Sequence, residues 1–576
     1  MPDIASRFNR DTIVLDGAMG SLLLAQGIEA DEHPMFVNIL EPELVETIHK
    51  RYLLAGAQAI TTNSFSGSRV LLAQHGLADR ADELNRASVR IAKSCKPEHV
   101  IADVGPSGLF LSPYGDASFS EVFAVFAEQI GSLASEQPDA ILIETMIDIA
   151  EARIGVMAAK SVCDLPVFVS VSFDETGHMP LSGTDPATAA VILEAAGADV
   201  VGINCSLGPA MVLPLIEEMA GATSLPLLVQ PNAGLPKTSK SGIVSYDATP
   251  DEMAEAAWAF RQLGVQFIGS CCGSTPSHTA AIYTAVGATD TVRPRLSQMP
   301  GMLAASPQKL VRVTVDGPCT VIGERINPTN MPKLLAGLSQ GDLSEALSLA
   351  IDQSAAGADL LDINTNSSSI DAKDIMAGLA NELAFTVKTP LVLDCLDTEA
   401  LEAALQVYPG RAVINSVNAG ETSLLRILPL AQRYGAAVIG MLTDGRRLPE
   451  SVEERLELAE RIIHEAKNYG LGPNDLLFDV LALALVASPN AREDAIQTIL
   501  ELRKRRLLSV LAISNISYKL NDKSTLNADF AREAVEAGVS ALILNPNDET
   551  VMAAYLSANE QRQADKLHPL GPSVSV

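Results

Sequence analysis

Three of the seven cysteines stand apart from the rest. Cys205 closes the run DVVGINCS at 199–206, and Cys271 and Cys272 are adjacent in QFIGSCCG at 266–273. Three thiolates with one open position make a catalytic zinc arrangement, because structural zinc sites fill all four positions with protein ligands. Zinc in such a site holds a substrate thiol as thiolate at neutral pH, where the free thiol is mostly protonated. The alternative is that the three are small buried hydrophobes. Cys95, Cys163, Cys319 and Cys395 have no comparable grouping and read as core or surface filler. Seven cysteines in 576 residues are too sparse for a disulfide scaffold. In a reducing compartment, clustered cysteines are ligands or catalysts rather than staples.

A second set of polar residues shares one position in the local pattern. Asp16, Asn63, Glu144, Asn204 and Cys205 each fall at the C-terminal end of a β-rich run. So do Glu324, Asn327, Asp362, Asn364, Asp394, Asn415, Asp479 and Asn515 in the second half. One Asp or Asn there is explained by its preference for starting turns. Thirteen together point to two sites. GERIN at 323–327, DINTN at 362–366, LDC at 393–395, INSVN at 414–418, FDV at 478–480 and SNIS at 514–517 form a ring of Asp, Asn and Glu. Asn reads donor–acceptor edges, and a carboxylate accepts a paired N–H and amino group. The ring therefore suits a polar small molecule, of which a pterin is one example.

These residues need strands to carry them. The first half holds eight strand candidates: TIVLDGAMG, QAITTNSF, HVIADVGP, AILIETM, PVFVSVSFD, DVVGINCS, PLLVQPNAG and QFIGSCCG. They are near-continuous apolar runs, as parallel strands buried on both faces should be. Amphipathic stretches at 41–55, 79–94, 120–135 and 186–196 lie between them. Eight βα units in succession predict a (β/α)8 TIM barrel, whose active site lies at the C-terminal ends of the strands. Cys205 then ends strand six, and Cys271 and Cys272 end strand eight. Adjacent strand residues face opposite ways, so that pair converges only if the strand breaks, and Gly273 is the expected break. Residues 288–317, rich in Pro, Ser and Thr, read as a linker. Eight more candidates follow: CTVIGERIN, LLDINTN, PLVLDCL, AVINSVN, AVIGMLTD, LLFDVLA, SVLAISNIS and ALILNPN. The expected architecture is α/β, two TIM barrels in tandem, at 1–287 and 318–560, with a flexible tail at 561–576.

Composition narrows the partners. A formal net charge of -29 repels phosphate backbones, so nucleic acid is not expected. No apolar run reaches the roughly 18 residues of a membrane span. The N-terminal MPDIASRFNRD carries no signal-peptide core, and a cytoplasmic location is expected.

Residues 1–287 resemble the homocysteine-binding barrel of the homocysteine S-methyltransferases. The resemblance rests on LDGAMGS at 15–21, TTNSF at 61–65, VGPSG at 104–108, IET at 143–145, GINCSLGP at 202–209, QPNAGLP at 230–236 and GSCCGSTP at 269–276. It implies zinc on Cys205, Cys271 and Cys272. It further implies homocysteine bound by Glu144, Asn63 and the loop Asp16, Gly17, Ala18 and Met19. Residues 318–560 resemble the pterin-binding barrel of cobalamin-dependent methionine synthases and of methyltetrahydrofolate–corrinoid methyltransferases. That resemblance implies Asp394, Asn415 and Asp479 on the pterin ring, with Glu324, Asn327, Asp362, Asn364 and Asn515 nearby. Asn515 would face the N5 region. Two departures stand out: Cys395 replaces the usual Ser, and FDVLALALVAS replaces a more polar segment. Together the halves resemble the N-terminal half of cobalamin-dependent methionine synthases.

The implied reaction is methyl transfer from 5-methyltetrahydrofolate, via a corrinoid, to homocysteine, giving methionine and tetrahydrofolate. The Asp-x-His-x-x-Gly motif of corrinoid modules does not occur, and DEHPMF at 31–36 is the nearest approach. The corrinoid (cobalamin) is therefore expected from a further module or a separate protein. The alternatives are a homocysteine methyltransferase using betaine or S-methylmethionine, and a non-catalytic folate- or thiol-binding regulator.

Overall fold

The computed structural model describes residues 3–28, 33–238, 244–287, 300–329 and 331–567, which divide into two compact units, Met1–Gln298 and Met299–Val576. All sixteen expected runs form parallel strands, eight in each unit.

In the first unit the strands are Ile13–Val14, Ala59–Thr61, His99–Val104, Ala140–Met146, Val167–Val171, Val200–Asn204, Leu227–Gln230 and Phe267–Ile268. Each pairs in parallel with its neighbour in chain order, and Ile13–Val14 also pairs with Phe267–Ile268. A parallel bridge between Leu15 and Ala59 completes the ring. The amphipathic stretches become the outer helices Pro42–Leu54, Ala81–Ser94, Phe119–Ala134 and Pro186–Ala195. Ile13, Leu15, Ile101, Leu142, Phe168, Leu228 and Phe267 meet in the barrel interior, and Ile4 and Phe8 join that cluster from the N-terminal segment. The Phe8 ring lies 6.0 Å from Phe168 and 6.1 Å from Phe267. Phe8 precedes the first strand, so this packing fills the barrel from the N-terminal ends of the strands and leaves the other end for side chains with chemistry.

The second unit is a closed barrel of Thr320–Ile326, Leu360–Asn364, Leu391–Asp394, Val413–Asn418, Ala437–Met441, Leu476–Asp479, Ser509–Ala512 and Ala541–Leu544. Its interior cluster also holds Met302, Ala304, Val311, Val313 and Val315. These come from an antiparallel hairpin, Met302–Ser306 with Lys309–Val313. The expected linker at 288–317 is thus corrected: residues 302–313 are part of the second unit, and 288–299 lie outside the described residues. The hairpin strands are only five residues long, and small residues in MLAAS hid their alternation. Ala305 and Arg411 exchange backbone hydrogen bonds, and Ser306 Oγ donates to Lys388 O, which pins the hairpin to the barrel.

The expected flexible tail is corrected as well. The last helix runs Glu549–Leu567. Arg562 within it is buried and donates to Val539 O at 2.6 Å and Val315 O at 2.7 Å. The polar composition of 561–567 concealed this, because the anchoring contacts are to distant backbone. Residues 568–576 lie outside the described residues. Among the described residues no helix is long and apolar enough to cross a membrane.

Met302→Ala should destabilise the second unit by about 2–5 kcal/mol in urea unfolding, the usual cost of emptying a buried site. A loss below about 0.5 kcal/mol would show that the hairpin is not part of the core.

Candidate functional site

Strand six ends at Asn204, and both Cys205 and Ser206 then adopt left-handed backbone, with φ of 58° and 57°. The turn is held by Cys205 N donating to Gln230 O at 3.0 Å. Strand eight ends at Ile268, ahead of the cysteine pair, so strand alternation no longer governs Cys271 and Cys272. Cys271 N donates to Pro231 O at 2.8 Å, and Cys272 O accepts from Ala233 N at 2.9 Å. Gly273 follows with φ of 79°, and a Cβ there would lie 2.2 Å from the Tyr246 ring. Only glycine fits that position. The expected break is present and begins before the cysteines.

The three sulfurs lie within 4.8 Å of one another, and Cys205 Sγ is 3.9 Å from Cys272 Sγ. Three sulfurs at about 2.3 Å from a tetrahedral zinc would stand roughly 3.8 Å apart. A disulfide would need about 2.05 Å. The donor set therefore fits zinc, and all seven cysteines are free thiols. The Cys272 thiol is pushed down to about 3 because Cys205 and Cys271 hydrogen-bond to it, whereas those hydrogen bonds and burial push Cys271 well up.

The cysteines line a cavity of about 350 Å³. Gly17, Ala18 and Met19 border it, and Gly17 is packed so tightly that a Cβ would lie 2.6 Å from Ser274 Oγ. Asp16 sits behind them. Its carboxylate accepts from Thr61 N at 3.0 Å and Thr61 Oγ1 at 3.1 Å, tying strand one to strand two, and burial pushes it up to about 7. Asn63 borders the cavity while its amide donates to Pro34 O and Asn38 Oδ1, both at 3.0 Å. It therefore fixes the Pro34–Asn38 wall.

Glu144 borders the cavity and accepts from Asn204 Nδ2 at 3.0 Å. Asn204 also accepts from Thr145 N and Ser170 Oγ, each at 2.9 Å, and donates to Thr145 Oγ1 at 2.7 Å. This one amide thus positions Glu144 and the start of the Cys205 turn together. Burial, then the nearby Cys272 and Asp16, push Glu144 up. Asp103 also borders the cavity and was not singled out from sequence. It obeys the same rule of an acid near a strand's C-terminal end and stands directly before VGPSG. Thr145, Gln230 and Ser270 are further lining residues that carried no distinct sequence signal.

In the second barrel the expected ring assembles in part. Asn415 Nδ2 donates to Asp362 Oδ1 at 3.0 Å, and Asn364 Nδ2 donates to Asp394 Oδ2 at 2.6 Å. Asn366, inside the DINTN motif, donates to Asp394 Oδ1 at 3.0 Å. Burial, then the Asp394 charge, push Asp362 well up, and burial pushes Asp394 up. Glu324 accepts from Ser514 Oγ at 2.9 Å. Asp479 accepts from Leu481 N at 2.9 Å, and burial pushes it up to about 6 against the pull of Arg455. Asn327 closes a local turn to Thr329 N. Asn515 is exposed at the end of a short turn, Ile513–Asn515, with no side-chain partner to the rest of the ring. Cys395 is buried and receives the Thr365 hydroxyl at 3.5 Å.

Fold and site together define a tandem of a thiol-liganding barrel and an acid- and amide-lined barrel. Residues 13–286 match the family described as Homocysteine S-methyltransferase, and residues 323–545 match the family described as Pterin binding enzyme. The chain is therefore built from a domain of the Homocysteine S-methyltransferase family followed by a domain of the Pterin binding enzyme family. Methionine synthase of Mycobacterium tuberculosis (strain ATCC 25618 / H37Rv) is 30% identical over 577 residues, covering 94% of this chain and 48% of the relative. Methionine synthase of Mycobacterium leprae (strain TN) is 30% identical over 601 residues, covering 98% and 49%. The chain thus spans about half the length of the curated relatives it matches. The crystal structure of the homocysteine methyltransferase MmuM from Escherichia coli, oxidized form, is 22% identical with a TM-score of 0.43, covering 49% of this chain and 98% of that one.

A buried acid raised above its unfolded value binds its proton more tightly when folded, so it costs stability as pH rises from about 4 through about 6. For Asp479, raised from 3.8 to about 6, the upper bound is about 3 kcal/mol. Asp479→Asn should therefore be more stable than wild type by about 1–3 kcal/mol at pH 8, with the gain shrinking towards pH 5. Equal stability of the two at both pH values in urea unfolding would refute the burial cost assigned to this carboxylate.

Proposed function

We propose that this chain takes part in methyl transfer from 5-methyltetrahydrofolate to homocysteine, by way of a corrinoid on a further module or separate protein, giving methionine and tetrahydrofolate. The observation that carries the reading is the meeting of three cysteine sulfurs at one cavity with Glu144 and the Gly17–Met19 backbone. Zinc on Cys205, Cys271 and Cys272 would act as a Lewis acid that keeps the substrate sulfur a thiolate at neutral pH.

The chain's own groups do the rest. Glu144 accepts from the substrate's ammonium group, a charge-assisted contact in a water-poor site. The Gly17–Met19 backbone bounds the same amino-acid end, and Asn63 keeps the Pro34–Asn38 wall in place. The left-handed turn at Cys205 and the break at Gly273 aim the sulfurs into one space. In the second barrel, Asp394 and Asp479 accept ring N–H and amino hydrogens of the pterin, and Asn415 reads its donor–acceptor edge. Glu324, Asn327, Asp362 and Asn364 frame that edge. Loss of a methyl group leaves an electron pair on N5, so a hydrogen-bond donor there lowers the barrier. Asn515, exposed at the end of its turn, would be that donor. Seven free thiols suit a reducing compartment, the cytoplasm.

Zinc-loaded full chain should form methionine from homocysteine and an added methylated corrinoid. Cys272→Ala should lose zinc by metal analysis. It should also lose more activity than the roughly 10–100-fold typical of removing a residue behind a metal ligand. Full activity of zinc-free Cys272→Ala would overturn the thiol half of the reading. With 5-methyltetrahydrofolate and reduced cobalamin, Asp394→Ala and Asn515→Ala should lose methyl transfer while homocysteine methylation is kept. Unchanged rates would reject the pterin assignments.

A further inference from the structure

His278 follows the cysteine pair closely in sequence, at the start of the helix Pro276–Val286. Such a position invites a reading as a fourth metal ligand, which would close the site with protein. The geometry excludes that role. His278 is buried, and both of its ring nitrogens are taken. Thr275 N donates to Nδ1 at 3.1 Å, and Nε2 lies 3.0 Å from Ala248 O. A backbone N–H can only donate and a carbonyl can only accept. The ring proton therefore sits on Nε2, and Nδ1 is the acceptor. The Thr275 hydroxyl stands 3.0 Å from the same Nδ1. Among the described residues the metal-holding group contains the three cysteines and no histidine.

The two bonds of the imidazole close a ring of contacts behind the cysteines. Ala248 N donates to Ala233 O at 2.8 Å, and Ala233 N donates to Cys272 O at 2.9 Å. On the other side Ser274 N donates to Cys271 O at 3.2 Å, and Thr275 is the next residue. The path from Cys272 through Ala233, Ala248 and His278 to Thr275 thus returns to the turn it left. His278 is the one side chain in that path, and the other members contribute backbone. Tyr246, two residues before Ala248, packs its ring against Gly273. The cysteine turn is gripped between residues 246–248 and the helix start, and the imidazole is the clasp.

We propose that His278 is a positioning residue for the metal. By joining Thr275 to Ala248 it holds Cys271 and Cys272 where three sulfurs can share one ion, and it leaves the fourth position to the substrate. The inference rests on the zinc reading of the cysteines and adds a residue that touches neither metal nor substrate. Three sulfurs meet one ion only if both turns keep their shape, and the 271–275 turn has few backbone bonds of its own. A rigid, planar ring with a fixed tautomer supplies the missing brace. Without it, the Ala248 carbonyl and the Thr275 N–H lose these partners, and the turn is tied back through Ala233 alone.

The test is metal binding to the full chain. Zinc is titrated against a colour-forming chelator, and cobalt(II) is read by its sulfur-to-metal charge-transfer absorption. Three variants grade the clasp. His278→Gln offers an acceptor to Thr275 and a donor to Ala248, His278→Asn reaches Thr275 alone, and His278→Ala reaches neither. Zinc affinity should fall about 10-fold in the Asn and Ala variants, the low end for a residue behind a metal ligand, and stay within about threefold of wild type in the Gln variant. The cobalt absorption should lose intensity in Asn and Ala and be restored in Gln. Thermal unfolding shows which variants are folded, and the Gln–Asn comparison decides if the Ala variant is not. Wild-type affinity in Asn or Ala, or a Gln variant as weak as the Asn variant, would overturn the clasp and leave the zinc reading standing. A wild type that binds neither metal would overturn both.

Discussion

Three thiols and three carboxyls crowd the open end of the first barrel, and they cannot all be ionised together. Two unit charges 4 Å apart repel by about 4 kcal/mol at an effective dielectric constant of 20. The lining residues supply no basic side chain to offset this. The protein answers with shared protons: Cys272 is held by two thiols, and Asp103 and Glu144 are both driven towards their neutral forms. The sulfurs and the carboxyls of this one cavity are both groups that a cation would relieve.

The rest of the first unit serves that crowding. Ile4 and Phe8 pack the opposite end of the barrel, so the site is a cup rather than a channel. Left-handed backbone at Cys205 and Gly273 turns the chain where strands would otherwise send side chains apart. Asn204 spends its full hydrogen-bonding capacity on Glu144, Thr145 and Ser170, which couples the acid side of the cup to the cysteine side. The second unit solves a milder version of the problem. Asp362 and Asp394 are each engaged by amides, from Asn415 and from Asn364 and Asn366, so the acids stay poised without a basic partner.

Much of this was legible from spacing alone. All sixteen strands were visible as apolar runs, since parallel strands buried on both faces need uninterrupted hydrophobicity. The cysteine trio was visible because NC and CC at two strand ends are rare. What escaped was of two kinds. The hairpin at 302–313 and the helix through 561–567 are secured by contacts to distant backbone, which leave no local periodicity. Asp103 was not among the acids singled out from the sequence. Its place at the cavity beside Glu144 is a property of its surroundings, not of its neighbours in sequence.

The amino-acid sequence by itself determined two barrels, the end of each barrel that carries chemistry, and the residue types gathered there. Those follow from hydrophobic period and from the side on which βα loops open, both local rules. The tertiary structure alone decided which of those residues face the ligand and which brace the wall. Asp16 and Asn63 turned out to hold backbone, while Asp103 borders the cavity beside Glu144, because hydrogen-bond partners are allotted by three-dimensional proximity. The meeting of Cys205 with Cys271 and Cys272 belongs to both levels: spacing put them on strands six and eight, and two abrupt turns brought their sulfurs within 4.8 Å.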